Sequence, residues 1–201
     1  MRKKMDNLKI RLARPGDAEK LLEIYSYYVL NTAITFEITV PSADEFRGRI
    51  ENILKKCPYF VAEIDGVPVG YAYAGAFVGR EAYCYSVETS VYVRRDLRGR
   101  GIGKILYNTL ENALKEMNIT NMIARVSCPE EDDEYLTGNS ISFHKAMGFR
   151  YMGELHKCGH KFGRWYNSAC MEKIINEHAQ NPEPVRSFDK TEAYGRINEV
   201  K

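Results

Sequence analysis

A chain of 201 residues, 44% of them apolar, can bury one sizeable core, which bounds it to one domain or one domain with an appendage. Its 29 basic and 27 acidic residues leave too weak a field to imply a nucleic-acid partner. The longest weakly polar stretch, Tyr71 to Val78, is far too short to span a bilayer, and the basic start Met1-Arg2-Lys3-Lys4 leads into no apolar run, so neither a membrane partner nor a secretory signal is expected and the protein reads as soluble and cytoplasmic.

In chain order, Lys9 to Ala13 reads as a strand, and Pro15-Gly16-Asp17 starts a helix whose apolar face is Leu21, Leu22, Ile24, Tyr25 and Tyr28. A β-rich loop, Asn31 to Val40, leads to a second helix opened by a Ser42 and Glu45 capping box and carrying Phe46, Ile50, Ile53 and Leu54. Tyr59 to Ile64, the turn Asp65-Gly66, and Val67 to Phe77 form a hairpin. Tyr83 to Val93 is a long strand. After it, Ile105, Leu106, Leu110, Ala113, Leu114 and Met117 recur at three- and four-residue steps, the mark of an amphipathic helix beginning at Ile102. A strand over Met122 to Ser127, a short helix over Asn139 to Met147, and closing strands Phe149 to Leu155 and Tyr166 to Ile174 complete the order β-α-α-β-β-β-α-β-α-β-β. That order implies a mixed α/β layer domain with an open sheet over residues 1–175. Residues 176–201 turn polar, with Pro182 and Pro184 and no amphipathic period, and read as a tail in which Phe188 and Tyr194 are the candidates for packing on the body.

Five cysteines without a Cys-x-x-Cys pair argue against a disulfide framework or a zinc ribbon. His156, Cys158 and His160 alternate and would share one face of a strand, but three ligands on one extended segment cannot surround a zinc ion alone; no metal is expected, and they read as lining a surface or a substrate entrance.

The most informative stretch is Val91-Tyr92-Val93 followed by Arg98-Gly99-Arg100-Gly101-Ile102-Gly103, a strand, a glycine-rich turn and a helix start. Gly101 and Gly103 allow strained backbone angles and close approach, and unpaired amides at a helix N-terminus make an anion site. A Walker loop is excluded because Lys104 is followed by Ile105, which has no hydroxyl for magnesium; a Rossmann fingerprint is excluded because Lys104 occupies the third glycine position. The remaining pattern, Arg-x-x-Gly-x-Gly after a Val-rich strand, resembles the pyrophosphate loop of the GNAT superfamily of N-acetyltransferases. An ordinary strand-to-helix connection would carry the same glycines.

Further segments narrow the resemblance: Thr35-Phe36-Glu37, Val61-Ala62-Glu63, Gly70 to Gly75, Arg80, Tyr83, Val87-Glu88-Thr89-Ser90-Val91-Tyr92-Val93, Asn139 to His144, and Lys161-Phe162-Gly163-Arg164-Trp165. Over about the first 175 residues they are similar to the phosphinothricin N-acetyltransferase branch. The resemblance implies a mostly antiparallel open sheet flanked by helices, acetyl-CoA as co-substrate, a small-molecule amine as acceptor, and a homodimer. It implies that Glu88 is the general base and that His144 relays a proton or helps protonate the departing thiolate. Cofactor binding falls to Val91, Tyr92 and Val93 along a strand edge, to Arg98, Gly99, Arg100, Gly101, Ile102 and Gly103 at the pyrophosphate, and to Asn139 and Ser142 at the pantetheine arm. Phe36, Arg80 and Tyr83 are implied to bind an acceptor that carries an acidic group.

The chain departs from that pattern at two places. Val78 stands where the herbicide-resistance enzymes have a lysine, which leaves a small amino acid or an oxidised methionine analogue, sulfone or sulfoximine, beside phosphinothricin as acceptor. The segment Pro129-Glu130-Glu131-Asp132-Asp133-Glu134-Tyr135-Leu136 is longer and more acidic than the usual short turn, and reads as a solvated charge run, the other reading being a filter on substrate charge. Another amine, such as a polyamine or peptide N-terminus, and a non-catalytic acetyl-CoA-binding module are the competing functions.

Overall fold

The computed structural model describes residues 7–199; the basic start at Met1 to Lys4 lies outside them. A seven-stranded sheet is built from β1 (Leu8–Leu12), β2 (Tyr59–Ile64), β3 (Val67–Ala76), β4 (Ser86–Val93), β5 (Asn121–Cys128), β6 (Arg150–Lys161) and β7 (Arg164–Ile174), in the order β1-β2-β3-β4-β5-β7-β6. Every neighbouring pair is antiparallel except β4 and β5. Helices α1 (Ala18–Asn31) and α2 (Ala43–Leu54) cover one face, and α3 (Ile102–Glu116) covers the other, with α4 (Asn139–Ala146) and α5 (Glu192–Glu199). The mixed, mostly antiparallel open sheet flanked by helices is therefore as expected.

Alternation along the central strands builds two cores. Tyr71 on β3 and Tyr59 and Val61 on β2 pack with Leu21, Tyr25, Tyr28, Phe46 and Ile50 from α1 and α2. Ala72, Ala74, Val87 and Met122 pack with Leu106, Leu110 and Leu114 of α3. Each fully buried leucine of that stripe contributes about 1.5–3 kcal/mol relative to exposure, so packing rather than intrinsic propensity holds α3 in place.

Asp65 and Gly66 both have positive φ, 51° and 77°, as a two-residue hairpin turn of the twist-matching type requires. Phe162 and Gly163 repeat this with 51° and 76° and join β6 to β7. That second turn corrects the closing strands: β6 runs on through Lys161 and β7 starts at Arg164. A register shift between Leu155 and Gly159, with Lys157 at φ 49°, breaks the alternation that would have set His156, Cys158 and His160 on one face.

Other boundaries move for local reasons. Pro15–Asp17 is a 3₁₀ turn before α1, where Asp17 accepts the Arg14 amide and a two-pronged bond from Arg11. Ser42 Oγ accepts the Glu45 amide at 3.1 Å, but the Glu45 carboxylate takes Arg49 instead of completing the capping box. The long strand starts at Ser86, because Glu81–Tyr83 form a 3₁₀ turn. Residues 31–40 form no strand. Their polar groups are met from outside: Tyr25 Oη and Thr35 Oγ1 are 2.8 Å apart, Ser127 Oγ donates to the Ile34 carbonyl, and Lys161 Nζ donates to the Thr35 carbonyl at 2.8 Å. Burial lowers Lys161 to about 8, with Glu37 opposing the shift.

The polar segment after residue 175 packs on the body through Phe188, one of its two aromatic candidates. Phe188 is buried in the α3 core edge-on to Phe60, the Ala193 amide donates to Glu116, and Arg196 pairs with the same carboxylate. The Arg186 amide and Asn176 side chain bond the last carbonyls of α3 and the turn after it. The segment therefore closes the C-terminal end of α3.

Candidate active site

Parallel pairing between β4 and β5 lasts only from Ser86 opposite Asn121 to Glu88 opposite Ile123. Beyond it β4 stays with β3 through Val93, while β5 stays with β7 through Cys128, so the two strands part. A cleft of about 750 Å³ opens between them, lined by Thr89 to Val93, Arg125 to Ser127, the glycine turn, and Asn139, Ser140, Phe143 and His144 of α4.

Along one wall the β4 edge from Thr89 to Val93 has no strand partner on the β5 side. The Val93 carbonyl there accepts the Tyr28 hydroxyl at 2.5 Å. Main-chain groups two residues apart in an antiparallel strand point the same way, so Val91 also presents its N–H to the cleft. Tyr92 lines the cleft and packs toward α1, edge-on to Tyr25 and Tyr28.

At the cleft's end, Gly99 and Gly101 have φ of 73° and 87°, the left-handed region natural to glycine. Gly101 is the N-cap of α3, and the amides of Ile102, Gly103 and Lys104 in the first turn have no intrahelical acceptor. Gly103 differs from the expectation: it is helical, and its need is space, since a Cβ there would sit 3.4 Å from the Phe143 ring. Arg98 lies over Tyr28 and Arg95 over Tyr27, so two guanidinium groups border the amides. Arg100 is exposed and outside the lining, and Ser142 is also outside it, its hydroxyl donating to the Gly138 carbonyl. Asn139 does line the cleft, although the N-cap of α4 is Gly138.

His144 is only 7% exposed. Its Nδ1 is 2.8 Å from the Ser140 carbonyl, which can only accept, so Nδ1 carries the proton and Nε2 accepts from the Tyr107 hydroxyl at 2.9 Å. Burial holds His144 below the ordinary histidine value despite the Ser140 bond, and burial pushes the Tyr107 phenol well up. Thr89 Oγ1 lies 3.3 Å from Tyr107 Oη and 3.2 Å from the Ile123 carbonyl, at the point where the β4–β5 ladder ends.

Glu88 projects to the opposite face of the sheet from Thr89. Its side chain is 25% exposed and accepts Arg125 Nε at 2.9 Å. Arg125 lines the cleft. The three residues expected to bind the acceptor lie elsewhere: Phe36 packs against Gly159 and the cluster of Ala33, Leu136 and Tyr166, while Arg80 is exposed after β3 and Tyr83 stands edge-on to Phe77. Among the described residues none of the three lines the cleft of a single chain.

The acidic segment is exposed at Glu130, Glu131, Asp132 and Glu134, as a solvated charge run would be, but Asp132 and Asp133 also tie down its backbone. Asp133 accepts the amides of Tyr135 and Leu136, the Tyr166 hydroxyl and Arg164, which together outweigh its burial and hold the carboxyl below the usual range. Asp132 accepts the Gly138 amide, Leu136 is buried, and Tyr135 stacks on Phe162 with centroids 4.2 Å apart. Glu134 lines the cleft but is paired with Arg164.

Tyr107, Thr89, Arg125 and Tyr28 are cleft residues that the motifs alone did not single out. Two of them carried a signal: Tyr107 is a hydroxyl in the apolar stripe of α3, and Arg125 is a charge inside an otherwise apolar run, Met122 to Val126. Among the described residues no group of three His, Cys, Asp or Glu side chains could hold a metal ion, and no helix is long and apolar enough to cross a membrane.

Comparison with known proteins agrees with this geometry. The acetyltransferase (GNAT) domain family matches residues 10–170. The chain is 35% identical to a phosphinothricin N-acetyltransferase of Alcaligenes faecalis over 83% of its own length and 82% of that protein. It is 31% identical to an L-methionine sulfoximine/L-methionine sulfone acetyltransferase of Salmonella typhimurium, over 85% of this chain and 96% of the other. A phosphinothricin acetyltransferase from Sinorhizobium meliloti, solved in complex with acetyl-CoA, superposes with a TM-score of 0.78 and 33% identity, covering 90% of this chain and 98% of that one. The cleft fits that co-substrate, with free helix amides and guanidinium groups for a pyrophosphate at one end and an unpaired strand edge for an extended pantetheine. With its parted strands, glycine-turn helix and matched domain, the chain belongs to the GNAT family of acetyl-CoA-dependent N-acetyltransferases.

Proposed function

We propose that this enzyme acetylates the α-amine of a small amino acid or analogue of the methionine sulfone, methionine sulfoximine or phosphinothricin type. The observation that carries the reading is the placement of Glu88 on one face of the parted strands and the Tyr107–His144 pair on the other, with the free β4 edge between them. The relatives named above act on such acceptors, and their likeness spans 83% and 85% of this chain.

Acetyl-CoA supplies an acetyl group activated as a thioester. The amine attacks only when neutral, yet the α-amine of a free amino acid is mostly protonated near neutral pH. Glu88 takes its proton, directly or through one water, a step worth about 10²–10⁴ in rate. The Val91 N–H polarises the acetyl carbonyl. Burial makes the Tyr107 phenol a weaker acid than a thiol, so it transfers no proton: its one O–H turns from His144 Nε2 to the departing sulfur, and the CoA thiolate then takes its proton from solvent. Arg98 and the first amides of α3 hold the pyrophosphate, and Asn139 bonds the pantetheine arm.

The same reading includes a homodimer in the cytoplasm. Support comes from the exposed apolar side chains on β6 and β7, where Leu155 is 64% and Trp165 60% exposed, and from cysteines that are all unpaired thiols.

A panel of phosphinothricin, methionine sulfone, methionine sulfoximine, common amino acids and spermidine, scored for acetylated product by mass, tests the proposal. Amino-acid product is expected. Product from spermidine alone would overturn it, and acetyl-CoA binding without any product would leave a cofactor-binding module in its place.

A further inference from the structure

Among the described residues Arg125 is the cation that lines the cleft away from the glycine turn. Arg95 and Arg98 lie over Tyr27 and Tyr28 by the glycine turn, and Lys104 is in the first turn of α3. Outside the lining, Arg164 is held by Asp133 and Glu134, and Lys161 by the Thr35 carbonyl.

Side chains alternate along β5, so Met122, Ala124 and Val126 enter the α3 core while Ile123, Arg125 and Ser127 face the 31–40 loop. Glu88 meets Arg125 on this face. The guanidinium is 63% exposed, and only its Nε is engaged; among the described residues Nη1 and Nη2 have no protein partner. A guanidinium presents donors in a planar fork, and the Nη1/Nη2 edge matches the two oxygens of a carboxylate.

We infer that Arg125 determines acceptor specificity: its free edge binds the carboxylate of an α-amino acid while its Nε holds Glu88 beside the amine of the same molecule. The inference rests on the acetyltransferase reading above and names the group that selects the acceptor. In an α-amino acid the amine sits on the carbon next to the carboxylate, so one guanidinium ties the anchor of the substrate to the base that deprotonates it. Glu134 at the cleft would repel an anion, but Arg164 neutralises it. An acceptor without the carboxylate leaves the fork unmatched and loses its register with Glu88.

The test compares methionine sulfone with its carboxamide, which keeps the side chain and α-amine and removes the anion. Steady-state kinetics with acetyl-CoA and product detection by mass are run on the wild type, Arg125→Gln and Arg125→Lys. Acetyl-CoA affinity, measured alongside, reports that each variant is folded. Arg125→Gln should lower the acid-to-carboxamide ratio of kcat/KM by about tenfold or more relative to wild type, chiefly through a higher KM for the acid, and Arg125→Lys, with charge but no fork, should fall between. Because the ratio is compared between variants, the lower basicity of the amide's amine cancels. An acid-to-carboxamide ratio that is unchanged in Arg125→Gln overturns the role of Arg125 and leaves the acetyltransferase reading standing. A wild type that binds acetyl-CoA yet acetylates no amino acid overturns both.

Discussion

Tyr107 donates a hydrogen bond to His144 Nε2 across 2.9 Å of buried space, and the imidazole donates its Nδ1–H to the Ser140 carbonyl, so both ring nitrogens are bonded inside the cleft wall. Removing the phenol oxygen leaves Nε2 without its donor. Tyr107→Phe should cost about 1–3 kcal/mol of stability in urea unfolding. It should also lower kcat by about tenfold, with a smaller change in KM for acetyl-CoA, if the hydroxyl serves the departing sulfur as argued.

The same burial sets a pH dependence. The native His144 resists protonation, whereas the unfolded chain takes up that proton as the pH falls through about 6.5. The unfolded state then binds more protons, so stability must fall as the pH drops through this window. Urea midpoints taken near pH 7.5 and near pH 5.5 should separate further in the wild type than in His144→Gln, which lacks the titrating group. Equal separations would remove His144 as the cause.

Two glycines of the turn should behave differently. Nothing lies within 4 Å of a Cβ built on Gly101, so Gly101→Ala carries only the penalty of φ 87°, about 1–2 kcal/mol. Gly103→Ala meets Phe143 at 3.4 Å in a helical backbone and should cost less in stability than Gly101→Ala. Thermal unfolding and acetyl-CoA binding on both variants check the contrast: the Gly101 change disturbs the amides that face the pyrophosphate and should weaken binding more.

Phe188 anchors the last segment by packing edge-on to Phe60 and Tyr194. Phe188→Ala should destabilise the protein by about 3–5 kcal/mol in denaturant unfolding. An effect within about 0.5 kcal/mol, the range of surface changes, would mean that the segment does not close α3.

Much of this was legible in the residues, and the remainder failed for identifiable reasons. Periodicity located α1, α2, α3 and the central strands because each buries one face, and Asp65-Gly66 named its turn because both positions need positive φ. The Phe162-Gly163 turn was missed because a phenylalanine at φ 51° gives no turn signal, and β6 was cut short as a result. The acidic segment was read by charge, whereas Asp132 and Asp133 serve as caps for backbone amides, a role that depends on where the chain folds. Phe188 and Tyr194 were legible as packing candidates, but Val185, Ala193 and Ile197, which join them against the core, are too few and too unevenly spaced in a polar stretch to mark an element. At the site, Glu88 and His144 were found through motifs, but Arg125 and Tyr107 acquire their roles only through partners 37 positions away in sequence.

The claim on which the account turns is that Glu88 takes the proton from the amine. Wild type and Glu88→Gln should be compared in kcat/KM for the best amino-acid acceptor, with acetyl-CoA affinity measured in parallel. The account predicts a fall of about 100-fold or more with unchanged acetyl-CoA binding. A variant that keeps its rate within about threefold, well below what a general base contributes, would contradict it.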